Sequence, residues 1–186
     1  MKKSFDYFKM LKELSEDVNN TFLKCVNNES FEKDKIAFRG AKSELINNLQ
    51  DEFIAPLERG DIFILVQHLT AEINAISVMQ EYLPFFQSDC QLFADELKPL
   101  FNRQTLLFFD LSRQKDYKKL GCVCRENISS CDAVIFNLLR KIKNTVSLTS
   151  NSGSLLKYSV YTSFLDVAKS LRNAFCEFER TLINNS

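Results

Sequence analysis

The sequence predicts an all-α protein, folded as an elongated antiparallel bundle of about six long helices in a single domain over residues 1–186. Apolar residues recur at steps of three and four along most of the chain, which is the period of a helix with one buried face. Only 4 Gly and 3 Pro interrupt the 186 residues, so the chain lacks the turn chemistry of a sheet protein. A hydrophobic content of 45%, including 17 Phe, supplies a core that needs no disulfide or metal support.

Three helices are expected in the first half. The first follows the apolar stripe Phe5, Phe8, Leu11, Leu14, Val18, Phe22 and Cys25. Polar residues at Asn27–Ser30 provide a turn and a cap before the second stripe, Ala37, Ala41, Leu45, Leu49 and Phe53. After a corner at Asp51–Ile62, the third helix carries Ile62, Leu65, Leu69, Ile73 and Ile76, and then Gln80 and Leu83.

Three further helices are expected in the second half. The fourth spans about Ser88 to Leu111, with a kink or break predicted at Pro99. The fifth carries Leu120, Cys124, Ile128, Cys131, Ile135, Leu138 and Ile142. A Ser/Thr/Asn/Gly-rich loop at Ser147–Ser154 precedes the sixth, which has the most regular stripe: Val160, Phe164, Val167, Leu171, Ala174 or Phe175, Phe178 and Leu182. Helices of about 24–30 residues, roughly 36–45 Å long, should fold back on one another as antiparallel neighbours.

The net charge is zero but is unevenly distributed. Residues 1–110 carry 12 Lys and Arg against 18 Asp and Glu, whereas residues 111–186 carry 12 against 6. Nucleic-acid binding normally requires a basic surplus, so that class of partner is excluded. The basic half either complements the acidic half or faces an acidic protein or an anionic membrane surface, for which Arg113–Lys119 and Arg140–Lys143 are the candidate segments.

The sequence also bears on the compartment. No apolar run follows the two N-terminal lysines, and no segment reaches the ~20 apolar residues that span a bilayer. We therefore expect a cytoplasmic protein without a membrane-spanning segment, with a peripheral position at the inner face of the membrane left open. The six cysteines should be thiols there, and the spacing of Cys122 and Cys124 does not fit a metal or redox pair.

The corner "DEFIAPLERGDI" is the main interruption of the helical pattern. Pro56 should end the second helix and hold Ala55 in an extended conformation. Glu58 followed by Asp61 resembles an N-cap with an acid at the third helical position, which is an imperfect capping box. Both acids also suit the positive end of a helix dipole.

The corner resembles that of the PhoU-related proteins that accompany Pit-type phosphate transporters. The family corner is roughly Thr-Phe-Ile-Thr-Pro-Ile-Asp-Arg-Glu-Asp-Ile, and this chain matches it at Phe53, Ile54, Pro56, Arg59, Asp61 and Ile62, with Glu58 for an Asp. The last helix is similar to the family's at Tyr161, Asp166, Ala168 and Glu179. The resemblance, from Phe5 to about Asn184, implies two repeats of a three-helix unit, at approximately 1–84 and 88–186.

The family is associated with Glu/Asp-x-x-x-Asp motifs that hold metal ions, because acids four apart share a helix face. Most of those acids are replaced here: Ile36, Ala37, Arg39, Thr70, Ala71, Asn74, Ile128, Lys169 and Asn173 stand at the motif positions. Asp132 and Asp166 remain and are the candidate metal ligands, on neighbouring helices. We expect no resident cofactor; a weakly bound divalent or ferric ion at these two acids is left open, as is their pairing with a nearby Arg or Lys.

Catalytic chemistry is not indicated. The chain has a single His, no nucleophile signature and no Gly-rich phosphate loop, so we expect that it is not an enzyme. The resemblance implies a regulatory accessory protein that docks on a membrane phosphate transporter or a signalling protein. Two alternatives remain: a carboxylate metal-binding bundle that stores or senses metal, and a homo-oligomeric scaffold that keeps only the fold.

Overall fold

The computed structural model describes residues 5–51, 57–82, 88–113, 116–146 and 152–186, and its regular structure in these segments is entirely α-helical. The six helices are α1 (Tyr7–Val26), α2 (Glu32–Asp51), α3 (Arg59–Gln80), α4 (Ser88–Arg113), α5 (Tyr117–Val146) and α6 (Ser152–Asn184). The predicted all-α class and the number of helices are confirmed. Their lengths run from 20 to 33 residues, a wider range than the sequence predicted.

The helices form a bundle with four inner and two outer members. Helix α1 packs against α2, α3 and α4, and α6 packs against α3, α4 and α5. Helix α2 packs chiefly on α1, and α5 packs on α6 and α4. Consecutive helices are antiparallel where cross-helix contacts fix their direction. Tyr7 near the start of α1 bonds Asn48 near the end of α2, and Lys24 near the end of α1 pairs with Asp34 near the start of α2.

Aromatic side chains join the inner helices. The rings of Phe22 on α1 and Phe101 on α4 stack with centroids 4.5 Å apart. Phe108 on α4 meets Phe178 on α6 edge to face at 4.9 Å. Aromatic pairs of this kind add stability beyond the area that they bury. They lie within one continuous core to which all six helices contribute.

The predicted stripes of α1 and α6 are buried almost throughout: Leu11, Leu14, Val18, Phe22, Cys25, Val160, Phe164, Val167, Leu171, Ala174, Phe175, Phe178 and Leu182. The stripe of α2 is shifted by one residue at its start. Ala37 is exposed, and Phe38 is buried in its place, followed by Leu45 and Leu49. The larger side chain takes the one face that α2 turns toward α1. Gln80 is exposed, and Phe53 and Leu83 lie outside the described residues.

The turn after α1 follows from its sequence. Asn28 has a positive φ of 57°, a conformation that Asn tolerates better than most residues. The Glu29 N–H donates to the Lys24 carbonyl at 2.8 Å, and the Asn28 N–H donates to the Cys25 carbonyl at 3.0 Å. These two bonds form a Schellman cap, which satisfies carbonyls that the end of the helix would otherwise leave without donors. The predicted turn at Asn27–Ser30 is therefore confirmed.

Two other boundaries differ from the expectation. Helix α4 continues through Pro99, so the predicted break is absent, while the alternative of a kink stays a prediction. Helix α6 begins at Ser152, so the last three residues of the predicted loop are helical. A Ser near a helix start can cap it, so the same composition that predicts a loop also suits a first turn. The predicted stop at Pro56 lies outside the described residues.

Helix α3 is the most apolar of the described helices. Over the described residues it is the one helix long and apolar enough to cross a membrane, and 44% of its most apolar window is buried within the protein. Its buried side chains include Leu65, Leu69 and Ile76, which belong to the common core. Core helices and membrane-spanning helices share this composition, so hydropathy alone assigns α3 to neither class.

Candidate functional site

The two predicted metal ligands lie on adjacent helices. Asp132 is exposed on α5 and Asp166 is exposed on α6. Asp132 Oδ1 accepts a hydrogen bond from Arg172 Nε at 2.5 Å, which makes Asp132 part of an ion pair. That contact sets Asp132 level with Arg172, so Asp166, six residues earlier on α6, lies about 9 Å away along the axis. The structure therefore pairs Asp132 with a guanidinium, which is the second interpretation that the sequence left open.

The positions where the family carries acids on its second and third helices are also occupied differently. Lys42 on α2 donates from Nζ to Thr70 Oγ1 on α3 at 3.0 Å, so an ammonium group lies between these helices. Across the described residues, no three or more His, Cys, Asp or Glu side chains come together as a metal-binding group. Of the replaced positions, Thr70 thus accepts a hydrogen bond from Lys42, which places a cation of the protein itself at the junction of α2 and α3.

The start of α3 is hydrogen-bonded to the end of the chain that follows α6. Glu58 occupies the N-cap position, but its side chain makes no capping hydrogen bond, so the predicted capping box does not form. Asp61 is only 4% exposed, and its Oδ2 accepts from Asn185 Nδ2 at 2.9 Å. Arg180 Nη2 lies 3.5 Å from Asp61 Oδ1. The acid that the sequence assigned to a local cap instead joins two segments far apart in the chain.

A second buried acid was missed by the sequence analysis. Glu72 on α3 is 0% exposed, and its Oε1 accepts a hydrogen bond from Gln104 Nε2 on α4 at 2.6 Å. Its Oε2 has no partner among the described residues, and neither does Gln104 Oε1. Burial raises the pKa of Glu72 to about 8, with the hydrogen bond from Gln104 opposing the shift. Glu72 is therefore a carboxylic acid that is mostly protonated at neutral pH.

Thr105, the residue after Gln104, belongs to a separate buried polar contact. Ser15 on α1 and Thr105 on α4 share a buried hydrogen bond of 3.1 Å next to the Gln104 position. Burial, and secondarily the charge of Glu72, raise the pKa of the Cys131 thiol to about 12. A proton on Glu72 Oε2 converts that atom into a donor, and Gln104 Oε1 is a buried acceptor that lacks one. The chemistry of the pair is thus that of a neutral acid facing an amide.

One sequence signal could have identified Glu72. It lies three residues after Leu69 and four before Ile76, inside the apolar stripe of α3. A charged residue in such a stripe is buried when the helix folds, and a buried acid has to find a partner or take up a proton. The identity of that partner, Gln104, could not be read from periodicity because it lies on another helix.

The described cysteines are free thiols, as the sequence predicted. Burial raises the pKa of Cys25 and of Cys124 to about 12, so both are unreactive. Cys122 is exposed, and its Sγ accepts from Arg125 Nη2 at 3.2 Å. The side chain of Cys90 lies outside the description. These environments assign the buried thiols to packing.

The described surface groove between α4 and α5 has no lining that is specific for one class of ligand. It has a volume of about 320 Å³ and is lined by Glu96, Pro99, Arg103, Ser130, Asn137 and neighbouring apolar side chains. Charges of both signs lie at its walls, together with small polar groups. This lining does not select one ligand class, and Glu72 is not among its residues.

No protein-family model matches this chain, and no curated protein is significantly similar to it.

Proposed function

We propose that the protein is a non-enzymatic regulatory protein of the PhoU-like type, which docks on the cytosolic side of a membrane phosphate transporter or on a sensor protein. In this role a helical bundle shifts the transporter between states by binding one state more tightly than the other. The chemistry is non-covalent, and no metal or cofactor takes part in it.

The observation that carries the proposal is the pattern of helix packing. If α1–α3 are exchanged with α4–α6, the set of packed pairs maps onto itself, although α2 touches α3 only slightly whereas α5 packs extensively on α6. The pairs α1–α4 and α3–α6 each map onto themselves, α1–α2 maps onto α4–α5, α1–α3 onto α4–α6, and α2–α3 onto α5–α6. This is the arrangement expected of two three-helix repeats, which the PhoU-like resemblance implies. It supports repeats close to residues 1–84 and 88–186.

The chemistry of the buried groups also supports a non-enzymatic role. Glu72, the most strongly perturbed carboxyl described, is enclosed in the core and faces an amide. Catalytic acids need contact with substrate, whereas this one is inaccessible. Asp61 and Asp132 are held by side chains of α6. Each of these acids has a structural partner within the fold.

The proposal is tested by affinity capture of the full chain from its native cells, grown with sufficient and with limiting phosphate. A subunit of a membrane phosphate transporter or a phosphate-responsive sensor should be enriched, and its recovery should change with the phosphate supply. A capture that contains only the protein itself would contradict the proposal and support the scaffold alternative. Stoichiometric iron, manganese or zinc in the purified protein would instead support the metal-binding alternative.

A matched control guards against capture through charge alone. The substitutions Lys33→Gln and Arg39→Gln neutralise two exposed cations on α2, and Arg140→Gln and Lys143→Gln neutralise two on α5. A specific docking surface loses its partner with one pair and keeps it with the other. Equal loss with both pairs would show non-specific attraction and would contradict docking.

A further inference from the structure

One end of the α5–α6 hairpin is free of acidic residues. Between Ala133 and Leu165 there is no Asp or Glu, whereas Arg140, Lys141, Lys143 and Lys157 are present. The chain as a whole has equal numbers of acidic and basic residues, so this span carries a local excess of positive charge. It covers the last turns of α5 and the first turns of α6.

The same end exposes large apolar side chains. They are Phe136, Leu139 and Val146 on α5, and Leu155 and Tyr158 on α6. Phe136 and Leu155 are each 66% exposed, values more typical of charged residues. On α5 the positions 136, 139, 143 and 146 are separated by steps of three and four, so Lys143 lies among the apolar side chains on one helix face. We call the segments 136–146 and 153–158 the α5–α6 tip.

Two ion pairs fix the register of α5 against α6. Asp132 pairs with Arg172, and Arg125 pairs with Glu179, seven residues from the first pair on each antiparallel helix. Val146 is as far beyond Asp132 on α5 as Tyr158 is before Arg172 on α6. The two side chains therefore lie at the same height on adjacent helices.

The first turn of α6 extends past the start of α4. Phe93 on α4 contacts Tyr161 on α6 at a centroid distance of 6.2 Å, and Phe108 contacts Phe178 further along, so these two helices run parallel. Ser88, the first residue of α4, is then level with Leu156. Leu155 therefore lies beyond the start of α4, whereas the α5 part of the tip lies alongside α4.

We propose that the α5–α6 tip docks on an anionic membrane surface. Exposed Phe, Leu and Tyr side chains among Lys and Arg are the combination that inserts into the headgroup region while cations pair with anionic lipids. Neither signal suffices alone, and the tip carries both. Contact between the tips of two copies would place like charges against each other, which disfavours a dimer through this surface. The membrane contact extends the proposed function and does not depend on it.

The test is sedimentation of the full chain with vesicles. Binding should be strong to phosphatidylcholine vesicles that contain about a third phosphatidylglycerol, weak to phosphatidylcholine alone, and weaker again at raised salt. The double substitution Arg140→Gln with Lys143→Gln should lower the partition coefficient about thirtyfold, because each cation near the surface contributes about a fivefold gain. The matched pair Lys33→Gln with Arg39→Gln on α2 should leave binding within about twofold of wild type.

A second pair of variants tests the apolar part. Phe136→Ser with Leu155→Ser should weaken binding to the anionic vesicles by about tenfold or more, whereas Ile36→Ser with Ile183→Ser, at exposed positions away from the tip, should not. All four side chains are exposed, so circular dichroism and thermal unfolding should stay close to wild type.

Three outcomes would overturn the proposal. The first is no binding to anionic vesicles. The second is equal loss in the tip variants and in their controls. The third is that the tip binds an acidic polypeptide such as polyglutamate while it ignores the vesicles, which would assign this surface to an acidic protein.

Discussion

Replacing Glu72 with Gln should stabilise the protein by an amount that grows with pH. The substitution keeps the shape of the side chain and its acceptor oxygen for Gln104, and removes the ionisable group from the core. The pKa of Glu72 is about 8 in the folded protein, against an ordinary value of 4.5 for a solvent-exposed glutamate. Between these two pH values the unfolded chain releases the proton while the folded protein retains it.

The magnitude follows from the difference between the two pKa values. Each pH unit between 4.5 and 8 lowers the free energy of unfolding by about 1.4 kcal/mol, because the folded state binds more protons than the unfolded state. The loss is absent below the unfolded pKa, reaches about 3 kcal/mol at pH 7, and levels off near 5 kcal/mol above the folded pKa. This is a large share of the 5–15 kcal/mol that is typical of a domain.

The assay is urea unfolding of wild type and Glu72→Gln at several pH values from about 5 to about 9. The free energies of unfolding should be similar at the acid end and differ by about 3 kcal/mol or more at the alkaline end. Glu44→Gln makes the same chemical change at an exposed position of α2 and should shift stability by less than about 0.5 kcal/mol throughout. A gap between wild type and Glu72→Gln that is constant with pH, or of opposite sign, would refute the assignment of Glu72 as a buried neutral acid.

Three other predictions follow from the contacts described. Asp61→Ala should lower the free energy of unfolding by about 1–3 kcal/mol in urea titrations, because it removes the buried carboxylate on α3 that accepts a hydrogen bond from Asn185. A loss under about 0.5 kcal/mol would contradict the role of this contact. A double-mutant cycle on Asp132→Asn and Arg172→Gln should give a coupling of less than about 1 kcal/mol that weakens with salt, since the Asp132 side chain is 51% exposed and that of Arg172 is 36% exposed; a coupling above about 2 kcal/mol would contradict it. Alkylation of the native protein, followed by mass spectrometry, should modify Cys122 before the other cysteines whose side chains the structure describes; early modification of the buried thiols would be inconsistent with the packing. Those thiols are Cys25, Cys124 and Cys131.

Helical periodicity predicted the helices in which apolar residues fill the buried face and polar residues fill the exposed face. The stripe of α6 was read almost completely, because α6 packs on three helices and the positions that face them are apolar, as at Phe164 and Leu171. The stripe of α2 was read less well, because that helix has one main contact face and Phe38 displaced Ala37 from it. Periodicity reports which face is buried, and it is weakest where little of a helix is buried.

Polar contacts between distant segments were beyond this kind of reasoning. Asp61 looked like a local cap, yet its partner Asn185 lies at the other end of the chain. Glu72 lies within an apolar stripe, but no local pattern at Gln104 indicates that the two side chains form a hydrogen bond. Each of these pairs depends on the relative height of two helices, which loop lengths and packing set together. The relative height of two helices is therefore determined by the whole fold and cannot be derived from a local sequence pattern.

The position of α2 at the edge of the bundle has a consequence for the order in which the molecule opens. Helix α2 rests chiefly on α1 and touches α3 only slightly, whereas α1 and α6 are enclosed on several sides. Amide protons of α2 should therefore exchange with solvent through partial opening, at a lower free energy than those of α6, which should require nearly global unfolding. The bundle thus has an outer layer and an inner layer whose amide protons exchange at different free energies of opening. The first residues that solvent would reach beneath α2 are those of the α1 core stripe.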